Sequence, residues 1–385
     1  MRPGWGARLA LALALARARA RTRDLAPALA LAGLFATAAP FTAAKAASLR
    51  SCDNTQSVTA AQQDRLLRFA AFIKAEFAAS GQRVALVARS GLNLARFGQR
   101  YSHGGVSLLG SGNTAWSVRQ LYYACDEAMP RLFDQGLAGF VAGADDPDLG
   151  FFSALLLPTE AAAPLETRAL DDRLALQLLG SRYSANAHAF STRYQNCNQW
   201  LIETLALAWS GRAGLAARTD TDTDTDTDTD TDTDTDTDTD TDTASLRAVA
   251  QDWLRRQGFE PTRFEVGRPL VWLTPFSPWL HDDDHPAADR QQALYQVSMP
   301  AAIEAFAVAR FPASQRLEFC HTPTHLLLRR NGPPIDAACT ATATDTVQTL
   351  ASASPSASTS ASKLGSTPAP YPQDSKFMPD RSALP

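Results

Sequence analysis

Beyond its first 46 residues the sequence has no apolar run of the ~20 residues that a helix needs to cross a bilayer, so no transmembrane segment is expected there. It also has no sustained basic patch interleaved with aromatics, which excludes a nucleic-acid groove. Charge is sparse, at 20% of residues, and the formal net charge of −4 misleads. Residues 219–243 are a Thr-Asp repeat holding 12 aspartates, and setting these aside leaves 36 basic against 28 acidic residues. Part of that basic excess lies within the first 46 residues, so the rest is near balance. The Thr-Asp run has no apolar residues to pack and none of the glycine turns of a preformed calcium loop. It reads as a solvated, disordered insertion. Residues 340–385 are mostly Ala, Ser, Thr and Pro, too poor in apolar side chains to pack, and read as a disordered tail.

The beginning of the chain is distinctive. Arg2, Arg8, Arg17, Arg19, Arg21 and Arg23 precede an apolar stretch from Leu25 to Ala39, and Ala44-Lys45-Ala46 follows. Basic, apolar and then small is the order of a secretory signal peptide, here residues 1–46. The mature protein is expected to be exported, periplasmic or extracellular after cleavage near Ala46. A lipoprotein reading of Leu49-Arg50-Ser51-Cys52 meets an arginine where a small residue belongs. Export permits disulfides. The five cysteines are Cys52, Cys125, Cys197, Cys320 and Cys339, and an odd count leaves at least one outside any intrachain pair. One connectivity joins Cys320 to Cys339 and Cys52 to Cys125 and leaves Cys197 as a thiol; the spacing leaves other pairings open.

Hydrophobic periodicity predicts a helix over residues 59–80, closed by Gly81, and a strand over 84–88. Strands at 101–109 and 115–123, joined by Gly110-Ser111-Gly112-Asn113, read as a hairpin, with Trp116, Val118, Gln120 and Tyr122 alternating onto one face. A strand is expected at 151–157 and helices at 165–179, from Cys197 to about Ser210, and over 244–257. Further strands are expected at 270–273, 295–298 and 325–329, with a short helix over 300–308.

Chemistry concentrates on Cys197 and His103. Asn196 is a good helix cap, so Cys197 opens a helix, where the helix's positive end and a nearby imidazolium both favour a thiolate. The N–H groups there also suit a developing oxyanion. His103 begins a strand and is the candidate base; Gln120, inward on the adjoining strand, is the candidate to fix its ring. Each piece has a plainer reading, because a cysteine on an apolar helix face is an ordinary small core residue. A second set is His281-Asp282-Asp283-Asp284-His285, dense enough in donors for a divalent ion, yet bracketed by Pro278 and Pro286 as an acidic loop would be. His188 stands eight residues before Asn196, in reach of the same cleft or on a surface loop. His321 and His325 are lesser candidates for a metal. No cofactor is expected.

The segments GQRYSHGGVSL, WSVRQLYYACDE, YSANAHAFSTRYQNCNQWL and YQVSMPAAIEAF resemble a bacterial family known as domain of unknown function 2145, from about Cys52 to Cys339. More loosely, a strand-borne histidine followed much later by Asn-Cys at a helix start resembles the permuted NlpC-type papain-like cysteine hydrolases. That resemblance implies an α+β fold, an antiparallel sheet with packed helices, formed by one domain over residues 47–339. It casts His103 as base, Gln120 as third polar group and Cys197 as nucleophile; many relatives carry a histidine or an acid where Gln120 stands. It further implies an exported hydrolase or acyltransferase acting on an envelope amide or ester, with a cell-wall peptide or a lipid as substrate. The alternative is a catalytically silent fold with a binding or structural role in the envelope.

Overall fold

In the computed structural model, Thr59 opens the first helix, α1 (Ala60–Ala79), by a reciprocal cap: its hydroxyl accepts from the Gln62 N–H while the Gln62 side chain accepts from the Thr59 N–H. Leu66, Phe69, Ala70, Ile73 and Phe77 form its buried stripe. Gly81, at φ +70°, takes the left-handed turn that ends it. The structure describes residues 58–124, 127–211, 238–267, 277 and 279–350.

The chain then lays down β1 (Val84–Arg89), β2 (His103–Leu108), β3 (Ser117–Ala124), β4 (Met129–Gln135) and, after the short helix α2 (Leu137–Val141), β5 (Gly150–Leu156). Helices α3 (Thr159–Ala169), α4 (Asp172–Gln177), α5 (Cys197–Trp209) and α6 (Asp238–Arg256) follow. Next come β6 (Thr262–Glu265), α7 (Ala287–Gln291), β7 (Leu294–Val297), α8 (Pro300–Arg310), β8 (Gln315–His321), β9 (His325–Arg330) and β10 (Thr346–Thr349). Antiparallel pairing gives one sheet in the order β10-β9-β8-β5-β1-β2-β3-β4, while β6 and β7 pair separately. The architecture is α+β, as expected from the sequence.

Both faces of the sheet are covered, which is why β1 reads as an unbroken apolar run rather than an alternating one. Ala85 and Val87 face α1 and α2, in a core with Phe69, Ile73, Phe77, Trp116, Phe140, Phe152 and Phe319. Val84 and Leu86 face the other way, into a core built with α3, α4, α5, α6 and α8. Helix α5 lies at the centre of that layer, every residue of it buried. It even carries a carboxylate inward: Glu203 pairs with Arg247 of α6 at 3.0 Å, and Gln195 and Gln251 donate to it at 2.7 and 2.6 Å.

The structure departs from the sequence reading in several places. The single helix expected over 165–179 is two, because Asp171 accepts from the Leu174 N–H at 3.0 Å and so caps a new start. The helix expected from Ala244 already holds at Asp238, the first described residue of the Thr-Asp run. Residues 346–349, assigned to the tail by composition, add an edge strand to β9. Cys320 and Cys339 form a disulfide with their Cα atoms 5.9 Å apart. The expected signal peptide, Cys52, Cys125, the strand expected at 270–273 and most of the Thr-Asp run lie outside the described residues. Among the described residues no helix is long and apolar enough to cross a membrane.

Candidate functional site

Asn196 decides where α5 starts. Its backbone is extended (φ −118°, ψ 176°) and its Oδ1 accepts from the Gln199 N–H at 2.8 Å, while its Nδ2 donates to the Ala185 carbonyl at 3.2 Å. Cys197 is therefore the first helical residue. It carries a thiol and is 6% exposed. The positive end of the helix dipole stabilises an anion at this position.

His103 is the first residue of β2, and two glycines after it let β2 approach its neighbours. A Cβ on Gly104 would lie 3.1 Å from Leu201 Cδ2 and 3.2 Å from Asn198 Oδ1, both on α5. A Cβ on Gly105 would lie 2.7 Å from Val118 Cγ1 on β3. Asn198 Nδ2 then donates to the Ser102 carbonyl at 3.0 Å, tying the residue after the cysteine to the residue before the histidine. Cys197 and His103 line one cavity of about 90 Å³, together with Arg89, Ser102, Asp145, Tyr183 and Asn198.

The imidazole is held on several sides. His103 Nε2 is 2.8 Å from Gln120 Oε1, and Gln120 Nε2 donates to Gln135 Oε1 at 2.8 Å. Because the amide nitrogen is committed to Gln135, the oxygen faces the ring; Nε2 carries the proton and Nδ1 the lone pair. Tyr122 stacks on the ring with centroids 4.2 Å apart and planes 15° apart, and Phe140 packs at 5.9 Å. Arg89, opposite His103 in the β1–β2 register, donates to the Tyr122 hydroxyl at 2.5 Å and to the Gly143 carbonyl. The sequence reading found Cys197, His103 and Gln120, which the structure brings together, and missed Arg89, Tyr122 and Asn198. Tyr122 was within reach, since it shares a strand face with Gln120 two residues away.

The His281–His285 segment lies elsewhere and works as a brace. His281 stacks on Tyr194 with centroids 4.5 Å apart. His285 Nε2 bonds the Asn186 carbonyl at 2.8 Å, and Asp284 accepts from the His188 N–H at 2.8 Å. The His188 and His285 rings lie 5.1 Å apart. Burial, reinforced by His285, lowers the His188 pKa to about 4. His188 does not line the Cys197 cavity. His321 packs on Phe69 at 4.8 Å, and His325 Nε2 bonds the Cys339 carbonyl at 3.0 Å. Among the described residues no three His, Cys, Asp or Glu side chains converge as metal ligands.

A family model described as an uncharacterized protein conserved in bacteria (DUF2145) matches residues 76–307, more than half of the chain. The matched span contains His103, Gln120 and Cys197 and stops short of β8 and the disulfide. No curated protein and no solved structure matches.

Proposed function

The chain belongs to the DUF2145 family of uncharacterised bacterial proteins, and we propose that it is an exported cysteine hydrolase or acyltransferase of permuted NlpC, papain-like type, acting on an amide or ester of the cell envelope. One observation carries this reading: Cys197 at a helix start and His103 at a strand start line the same cavity, with the histidine ring fixed through Nε2 by Gln120. His103 Nδ1 takes the Cys197 proton, and Sγ attacks the substrate carbonyl to form a C–S bond. The N–H groups at the start of α5 and its dipole stabilise the oxyanion. The leaving amine or alcohol departs with the proton held by His103, and water or an acceptor alcohol then cleaves the acyl-enzyme.

Trapping that acyl-enzyme tests the reading. Brief exposure of the intact protein to an activated ester should add one acyl mass to the peptide containing Cys197. The adduct should disappear in Cys197→Ala and form at least tenfold more slowly in His103→Ala, the range of one general base. No adduct on Cys197, or one indifferent to His103, favours a catalytically silent fold with a binding or structural role.

A further inference from the structure

A second, larger cavity of about 420 Å³ adjoins the small one and shares Leu92, Leu94, Ala185 and Met299 with it. Its size falls within the ~300–1,000 Å³ of small-molecule sites. Leu94, Phe97, Phe264, Trp279, Val297 and Met299 give it an apolar lining. Its floor is a hydrophobic cluster of its own, Phe264, Tyr295, Val297 and Met299, supplied largely by the β6–β7 pair, which stands apart from the main sheet. Two of the exposed large apolar side chains of the described residues, Leu92 at 60% and Trp279 at 46%, stand on this cavity.

The polar groups there are few. Asn186 spends its amide inside the protein: Nδ2 donates to the His281 carbonyl at 2.8 Å, and Oδ1 accepts from Ser184 Oγ at 2.8 Å and from the His281 N–H at 3.2 Å. Arg96 lays its guanidinium 4.4 Å over the Phe97 ring. Tyr295 is the other polar side chain on the lining, so a bound peptide would find few partners for its N–H and C=O groups, at a cost for each one left unmatched. A hydrocarbon has nothing to leave unmatched.

We infer that the acyl group transferred to Cys197 carries an unbranched hydrocarbon chain, seated in this cavity, so that the substrate is a fatty acyl ester or thioester and not a peptide amide. The inference rests on Cys197 being the nucleophile. Sγ bonds to the ester carbonyl carbon, the C–O (or C–S) bond breaks, and the alcohol or thiol leaves with the proton from His103. The enzyme-bound thioester keeps its chain among Leu94, Val297 and Met299 until water releases the fatty acid and restores the thiol.

The test uses S-methyl, S-butyl and S-octyl methanethiosulfonates on the whole protein, with labelling of Cys197 followed by mass and each rate divided by that with glutathione. The thiolate displaces methanesulfinate and forms a mixed disulfide, so the methyl rate reports the thiol and the octyl-to-methyl ratio reports the cavity. The expected ratio is at least about tenfold, well within what several buried methylenes supply at ~0.8 kcal/mol each. Val297→Trp, which fills the cavity, and Leu92→Glu, at an exposed position that leaves folding intact, both lower that ratio. A ratio near one in the unaltered protein overturns the acyl-chain inference, while a methyl rate that stays fast at pH 6 leaves the cysteine reading standing. A methyl rate like that of an ordinary thiol overturns the catalytic reading and the acyl-enzyme with it, whatever the ratio.

Discussion

His103 Nε2 and Gln120 Oε1 lie 2.8 Å apart, on neighbouring strands of one hairpin. The contact fixes the ring and the tautomer without adding a charge, unlike a carboxylate in the same place. Gln120→Ala should lower turnover by about 10- to 100-fold, the share of a correctly held base, and destabilise the fold by about 1–3 kcal/mol through the emptied, unmatched site. Gln120→Glu should shift the alkaline limb of the pH–rate profile upward, because a carboxylate beside the ring stabilises the imidazolium that pairs with the thiolate. Steady-state kinetics from pH 4 to 9 and urea melts check both.

Gly104→Ala tests the close approach of β2 to α5. The added methyl would press on Leu201 and Asn198 at 3.1 and 3.2 Å. The expected cost is about 1–3 kcal/mol of stability, with a slower Cys197 reaction because the Asn198–Ser102 tie loosens. Thermal melting and thiol labelling on the same sample read the two effects.

Cys320 and Cys339 close a loop of sequence separation 19 and pack in one cluster with Ala88, Tyr101 and Phe151. A loop of this length constrains the unfolded chain by about 3 kcal/mol. Replacing both cysteines by alanine should lower unfolding stability by about that much, read by urea denaturation.

His321 gives a pH signature. Burial, with Arg65 adding to it, lowers its pKa to about 4. The unfolded chain, with an ordinary histidine near 6.5, therefore binds more protons than the native state between pH 4 and 6.5. Stability from this residue is complete above that window and falls as pH drops through it, by up to roughly 3 kcal/mol. His321→Phe should flatten that part of the stability–pH curve, measured by urea melts at pH 7, 5.5 and 4.5.

The elements legible in the sequence were those whose pattern matched their burial: α1 with its close at Gly81, the apolar β1, the β2–β3 hairpin and α5 behind Asn196. What escaped has physical reasons. β8 reads Gln-Arg-Leu-Glu-Phe-Cys-His, too polar for a central strand, yet Glu318 is buried because Arg316, Arg100 and Tyr101 contact it at 2.8, 2.9 and 2.6 Å. β4 carries Pro130 and charged residues and pairs only at the sheet edge. Pro164 hid the first part of α3. At the site, Cys197, His103 and Gln120 could be named from local chemistry. Arg89 could not, since its position depends on the register that sets it opposite His103.

The most direct measurement is the pH dependence of Cys197 alkylation in the unaltered protein and in His103→Ala. Labelling of an activated Cys197 is fast below pH 7, where a thiol of ordinary pKa near 8.5 is almost silent, and slows markedly in the variant. Labelling that rises only above pH 8, or that is indifferent to His103, would contradict it.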